Sequence, residues 1–393
     1  MNMVYLDNNA TTAVLPAIVQ AMTPYFTTAF GNPSAIHQRG VAARAALDKA
    51  RQAVAGLLGC QAAEIVFTSG GTEGDNLAVF GVVKPGSHII TSAIEHHAVL
   101  NSCRRLEQIG CSVTRLPVDG RGVVDPDAVR HALRPATALI SIMMANNETG
   151  TVQPVEDIGR IAAEADVWFH TDAVQAAGKL AIDVNRIGCD LLTISGHKFH
   201  APQGVGALFV RRGTPLHPLM HGGPQEQGRR AGTENVPGIV GLGKAAEIAA
   251  DGLQDGSVAR IAAWRDRLEA AIHDAIADVA INGASTSRVP NTTNIFFDYV
   301  PGEALLLALD KEGIAVSAGA ACSAGSGASS HVLTAMGLGE MRARCSLRFS
   351  LGKQNREEDV DAVLAVLPGL VQRLRDASPL YRRAMALSPV PAP

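Results

Sequence analysis

The chain reads as α/β: a mainly parallel central sheet flanked by helices, followed by a smaller α+β domain. Two observations carry this. From about residue 14 to 250, short apolar runs alternate with amphipathic helical segments, the pattern of a sheet covered on both faces. Near residues 250–260 the alternation gives way to ADGLQDGSV, a polar, glycine-containing break, and then to a different mixture of elements.

In order, EIVFT (Glu64–Thr68), HIITS (His88–Ser92), SVTRLPV (Ser112–Val118), ALISIMMA (Ala138–Ala145), VWFHTD (Val167–Asp172), DLLTIS (Asp190–Ser195) and VGALFV (Val205–Val210) predict strands. Segments such as DPDAVRHALR and VEDIGRIAAEA supply helices between them. Beyond the break come a helix from about Val258 to Ile276, a strand in TTNIFFDYV and a helix in EALLLALDKEG. A Gly/Ala/Ser tract, the strand SLRFSLG and a last helix over Arg356–Leu367 follow, and the tail from Ala384 predicts a frayed end. The expected division is a large domain over 12–253 and a small one made of 1–11 and 254–393, with a mobile cysteine loop at about 317–332.

Composition narrows the class. Hydrophobic residues make up 47% and charged residues 18% of the 393, a globular balance and not a disordered one. A net charge of −3 without Lys/Arg blocks argues against direct nucleic-acid binding. MNMVYLDNNATT is no secretory leader, and no apolar stretch reaches the roughly 18 residues of a membrane span, so a cytoplasmic protein without membrane contact is expected. The six cysteines form no Cys-x-x-Cys pair, which argues against a zinc knuckle, a redox dithiol or a disulfide scaffold; no intrinsic metal site is expected.

Polar residues gather where the predicted strands end, and in an open α/β sheet ligands bind there. After EIVFT, TSGGTEGDN offers Gly70 and Gly71 for a tight turn and, with the Thr72 hydroxyl and the helix N–H groups, a phosphate site. Alone, it reads as a helix capped by Thr72. After HIITS, His96 and His97 are adjacent, so at most one faces a site, where an imidazole stacks on a planar ligand or moves protons; a capping or solvated histidine is the plain alternative. In ANNETG, Asn146 and Asn147 either bind a ligand or make the turn. Asp172 closes the strand VWFHTD, and a buried carboxylate there needs a partner such as a protonated ring nitrogen. Lys198 follows the end of DLLTIS; alone it is a surface lysine, but beside a ligand it is desolvated and free to form a Schiff base. Together these are a phosphate cradle, a stacking ring, a carboxylate and a Schiff-base lysine on one sheet edge, the parts that pyridoxal 5′-phosphate requires.

Two features lie beyond the break. Cys322 sits in SAGAACSAGSGASSHV, a tract that buries little and suits a moving nucleophile; the plain alternative is a linker with an incidental thiol. Arg348 lies between Leu347 and Phe349 in an alternating strand, where it meets either a ligand carboxylate or a surface salt-bridge partner.

YLDNNATT, FGNPSAIH, EIVFTSGGTEGDN, ITSAIEHHAVL, ANNETGT, HTDAVQAAGKLAIDV, SGHKFHAPQGVGALFVRRGT, GRRAGTEN and SLRFSLG, in that order, resemble the cysteine desulfurases, pyridoxal-phosphate enzymes of the aspartate-aminotransferase type (fold type I). The resemblance spans about residues 4–360, and HTDAVQ, GRRAGTEN and ANNETG are most similar to the NifS type. It implies that Lys198 makes the Schiff base and moves the substrate proton, that Asp172 meets the pyridine nitrogen and Gln175 the ring hydroxyl, and that His96 stacks on the ring. Thr72, the Gly71 backbone, Ser195 and His197 would hold the phosphate. Thr233 would reach the phosphate of the partner subunit, which makes the protein a homodimer. Asn147, beside the cofactor, and Arg348 would orient L-cysteine.

By the same resemblance Cys322 takes the sulfur as a persulfide, alanine leaves, and the sulfur passes to an iron–sulfur scaffold protein, where Cys322 transiently ligates a cluster. Nitrogenase maturation, general iron–sulfur assembly and tRNA thiolation are the destinations that such enzymes serve. Two positions depart from the family pattern: Gly74 replaces a serine, so that one phosphate hydroxyl is expected to be missing, and Ser323 replaces a threonine. A selenocysteine lyase or an aminotransferase would keep Lys198 and Asp172 without this loop thiol. A sulfur carrier or iron–sulfur scaffold using Cys322 with Cys345 is the non-enzymatic alternative.

Overall fold

The computed structural model describes residues 3–318 and 329–387. The chain enters through a short strand, β1 (Val4–Tyr5), and reaches the large sheet after a 21-residue helix, Gln38–Leu58, which buries Ala43, Leu47, Ala50, Val54 and Leu58. That sheet holds β2 (Ile65–Thr68), β3 (His88–Ser92), β4 (Ser112–Leu116), β5 (Thr137–Ser141), β6 (Trp168–Asp172), β7 (Leu191–Ser195) and β8 (Gly206–Val210). Their order is β2-β8-β7-β6-β5-β3-β4, with β8 running antiparallel to both of its neighbours and the β7-to-β4 pairings parallel. The central strands are buried on both faces, which is why they read as unbroken apolar runs. The edge strand β4 is the exception, with Ser112 and Arg115 exposed.

All seven expected strands are present; β3 keeps its expected ends and the other six have shifted ones. β5 stops at Ser141 rather than Ala145, because Ile142 and Met144 leave the ladder while still donating to His170 O and Asp172 O (3.1 and 2.8 Å). Glu64 belongs to a 3-10 turn before β2, and β4 ends at Leu116, short of Val118. β6, β7 and the run beyond β5 thus deliver Asp172, Ser195–Lys198 and Asn147 to the same edge as the turns after β2 and β3.

The second sheet contains β9 (Val279–Asn282) and β10 (Thr292–Phe297). Next, β11 (Ile314–Ala315) pairs in parallel with β1, while β12 (Ser317–Ala318) and β13 (Ser346–Ser350) complete the antiparallel order β12-β13-β10-β9. Helices Ser257–Ala275, Gly302–Lys311 and Glu357–Ala377 cover this sheet around a separate core that includes Leu6, Leu268, Leu305, Leu347, Phe349 and Val363.

The last helix was expected to end at Leu367. It runs ten residues further, through Pro368, because the stripe Val360, Val363, Leu367, Leu370 and Val371 buries into the core and outweighs the hydrogen bond that proline removes. The tail expectation is corrected for its first residues, Ala384–Leu387, which lie within a helix, Pro379–Leu387, while residues 388–393 lie outside the described residues. No helix among the described residues is long and apolar enough to cross a membrane.

Candidate active site

Thr68 ends β2, and the chain turns through Ser69 and Gly70 into the helix Gly71–Val82. Gly70 adopts φ 154°, which L side chains rarely reach, and no side chain caps the helix start. Thr72 therefore stands inside the first turn instead of capping it. Gly71 and Thr72 line a cleft with about 300 Å³ of room, together with Ser195 and His197 from the end of β7. His197 Nδ1 lies 3.1 Å from Thr11 Oγ1, and burial, then Lys198, lowers its pKa to about 4, so its ring is neutral. An uncapped helix start with two hydroxyls and an imidazole beside it is an anion site.

Asp172, Gln175, His96 and Lys198 line the same cleft. Asp172 Oδ1 accepts from Val174 N (2.8 Å); burial raises the carboxyl to about 6, against the pull of that N–H and of Lys198, leaving it mostly ionised at neutral pH. His96 caps the helix His97–Gln108 by accepting from Ala98 N at Nδ1 (3.1 Å), which leaves the hydrogen on Nε2. Burial, then Lys198 and His97, lowers its pKa to about 4. His97 turns away and meets the His331 ring, centroids 4.7 Å apart. Lys198 Nζ donates to the carbonyls of Asn9 (2.6 Å) and Ala10 (2.8 Å).

ANNETG divides its labour. Asn146 makes the turn, accepting from Glu148 N and Thr149 N (2.9 and 3.0 Å), while Asn147 lines the cleft. Arg348, in β13, reaches across to donate to Asn147 O (2.9 Å) and to Asp7 Oδ1 (2.6 Å), and its Nε is buried without a partner among the described residues. A guanidinium lining the cleft suits a ligand carboxylate. The salt-bridge alternative is realised at the same time, inside the molecule.

Several residues escaped the sequence reading. Asn9, within YLDNNATT, lines the cleft, and its side chain bonds Thr292 Oγ1 (2.8 Å) and Asn147 O (3.1 Å). Asp75, within TSGGTEGDN, is buried in the cleft wall; desolvation, then Asp172, raises its pKa well above the usual range, and Oδ1 has no hydrogen-bond partner among the described residues. His170 lies 3.6 Å from Asp75, but burial lowers its pKa to about 3, so this is no ion pair. Burial likewise raises Glu95 to about 8, although Ser92 and the Met143 N–H bond its carboxyl. These residues lie within quoted motifs, but their burial depends on strands and segments far away in sequence.

The expectation of a missing hydroxyl contact at Gly74 takes a different form. A Cβ there would lie 2.7 Å from Thr193 Cγ2, so Thr193 fills the space that a side chain would need. Thr233 is not brought to this cleft; it is exposed on a loop that Arg51–Glu226 (2.7 Å) and Arg230–Glu73 (2.9 Å) pin to the helices Gln38–Leu58 and Gly71–Val82. Cys322 and Ser323 lie outside the described residues. Of the other cysteines, burial raises Cys60 and Cys103 to about 12 and pushes Cys189 and Cys345 upward too, which makes them poor nucleophiles.

The donor set fits pyridoxal phosphate: an anion corner, a carboxylate ionised near neutrality, a neutral imidazole and a lysine converge on one cleft. The family model "Aminotransferase class-V" matches residues 4–363. The chain is 52% identical to the cysteine desulfurase IscS of Methanosarcina thermophila, covering 96% of this chain and 94% of that protein. It is 50% identical to a cysteine desulfurase of Gluconacetobacter diazotrophicus, over 98% of both. Among solved structures, a NifS-like protein superposes with a TM-score of 0.88 at 38% identity, covering 94% of this chain and 100% of the other. SspA in complex with cysteine superposes with a TM-score of 0.79 at 40% identity, covering 90% and 99%. A site built for pyridoxal phosphate and kinship along nearly the whole length agree: the chain belongs to the class-V aminotransferase family and, within it, to the pyridoxal-phosphate-dependent cysteine desulfurases.

Proposed function

We propose that the cleft around Lys198 takes sulfur from L-cysteine, and that Cys322 receives it as a persulfide. The observation that carries this reading is the convergence of Lys198, Asp172, His96 and the uncapped start of the helix Gly71–Val82 on one cleft. Gly71, Thr72, Ser195 and His197 hold the cofactor phosphate, Asp172 its ring nitrogen, Gln175 its ring oxygen and His96 its face. When bound, the cofactor condenses with an amine and draws electron density from the substrate Cα.

The protein's residues do the rest. Arg348 turns its cationic guanidinium to the substrate carboxylate while Asp7 and Asn147 O hold it still. Asn147 closes the substrate end. Lys198 moves the Cα proton. As the Cβ–S bond of L-cysteine breaks, its sulfur bonds to Cys322 Sγ; the electron pair stays with Cβ, which takes a proton and becomes the alanine methyl. The raised thiol pKa values of Cys60, Cys103, Cys189 and Cys345 support assigning this role to Cys322.

The working unit in this reading is a cytoplasmic homodimer in which Thr233 serves the partner's phosphate site. Its exposure, and that of Phe26, Phe30 and Ile36 (64%, 55% and 98%), support a covered surface. The two cores support the division into 12–253 and 1–11 with 254–393. An iron–sulfur scaffold protein is the sulfur acceptor.

The test uses two variants. Lys198→Ala is expected to lose both the lysine-linked chromophore and alanine formation. Cys322→Ser is expected to keep the chromophore and lose sulfur transfer. Sulfide and alanine release at the parental rate from Cys322→Ser would refute the assignment.

A further inference from the structure

Lys179 is a buried amine that the reaction above does not use. Its Nζ lies 2.7 Å from Gln175 Oε1 and 3.2 Å from Asn9 Oδ1, and among the described residues it has no salt bridge to a carboxylate. Burial, then Lys198 and Arg348, pushes its amine well below the usual lysine range. Holding such a group against two amides costs stability that an apolar side chain would not cost. Its placement needs another reason.

Gln175 supplies one. A carboxamide can sit either way round, and its partners decide which. Here Lys179 N–H groups donate to Oε1, and on the other side Nε2 donates to the carbonyl of Asn9 (3.0 Å), which can only accept. The second Nε2 hydrogen remains, on a side chain that lines the cleft. We propose that Lys179 is a positioning residue that locks the Gln175 carboxamide with its N–H edge toward the cofactor's ring oxygen, a proposal that rests on the reading of Gln175 given above.

The local backbone makes the pairing possible. Ala177 N and Lys179 N bond back to Ala173 O and Ala176 O (3.0 and 2.9 Å), winding this segment into a helical turn that sets residues 175 and 179 side by side. Lys179 orders a second amide as well. Asn9 Oδ1 accepts from Lys179 and from Asn291 Nδ2 (3.1 Å), so Asn9 is also held one way round, and its carbonyl accepts from Lys198 Nζ. One buried amine thus sets the amide facing the ring oxygen and steadies the turn whose carbonyls hold the catalytic lysine.

The test is a pH titration of the holoenzyme's visible absorption, which reports the proton at the lysine–cofactor linkage. A donor on the ring oxygen draws off electron density that otherwise retains that proton. Gln175→Ala is therefore expected to raise the midpoint by about one pH unit, one hydrogen bond's worth. Lys179→Met is expected to raise it equally, and the double variant to match either single one, because both act through one bond. In Gln175→Glu, with Lys179 in place, one carboxylate oxygen stays on Lys179 and the other faces the ring oxygen as an acceptor. Its midpoint is expected to rise more than that of Gln175→Ala, an arm that remains if Lys179→Met does not fold. An unshifted midpoint in Lys179→Met, additive shifts in the double variant, or no excess shift in Gln175→Glu would overturn the role of Lys179. An unshifted midpoint in Gln175→Ala would instead overturn the reading of Gln175, and the proposal with it.

Discussion

Thr193 shows how one side chain is fixed by two neighbours. It lies in β7, its Oγ1 lies 3.0 Å from His170 Nε2, and its Cγ2 fills the space beside Gly74. Gly74→Ser is expected to destabilise the fold by about 1–3 kcal/mol through overpacking. Thr193→Ser, which removes Cγ2 and keeps the hydroxyl, is expected to recover most of that loss in the double variant, as read by urea unfolding. At this scale the sequence identified groups that end strands, because a polar residue closing an apolar run stands out: Asp172 and Lys198 are examples. It missed Asp75, Glu95 and Asn9, since nothing in their neighbours foretells burial by a strand or segment far along the chain.

The helix His331–Ala335 follows directly on the segment that holds Cys322 and is fastened to the large sheet's edge. Ser330 caps it, accepting from Leu333 N (3.1 Å) and donating to Glu148 Oε2 (2.5 Å), and His331 Nε2 bonds the carbonyl of Glu95 (3.0 Å). Val332, Leu333 and Met336 pack on Ile94 and Met143. Burial raises Glu148 to about 7 from 4.5, against the Ser330 hydrogen bond and Arg348. Between those values the folded state binds more protons than the unfolded one, so stability falls as pH rises. Glu148→Gln removes that dependence: from pH 4 to pH 8 it is expected to gain up to about 3 kcal/mol relative to the parent, measured by chemical unfolding. A constant difference across this range would refute the burial argument. Elements with a single buried stripe or a double-sided apolar run were legible; the helix through Pro368 was not, because tertiary packing there overrides a local stop signal.

Across the whole molecule, residues 5–9 tie the two sheets together. Asn8 Nδ2 donates to Ser350 O (2.9 Å), and Asn9 joins Thr292 in one sheet to Asn147 and Lys179 at the other. Asn9→Ala would leave several buried groups without partners, and is expected to cost about 2–4 kcal/mol in urea unfolding. The role of residues 5–9 at the cleft was not legible, because it arises only where the two sheets meet. The central claim is that one cleft releases sulfur and one thiol receives it. It is tested most directly by a single turnover of the holoenzyme with one equivalent of sulfur-labelled L-cysteine and no reductant, followed by peptide mapping and alanine analysis. The account predicts one alanine per label bound, with the label on the peptide bearing Cys322; label on Cys345 or another cysteine, or label bound without alanine, would contradict it.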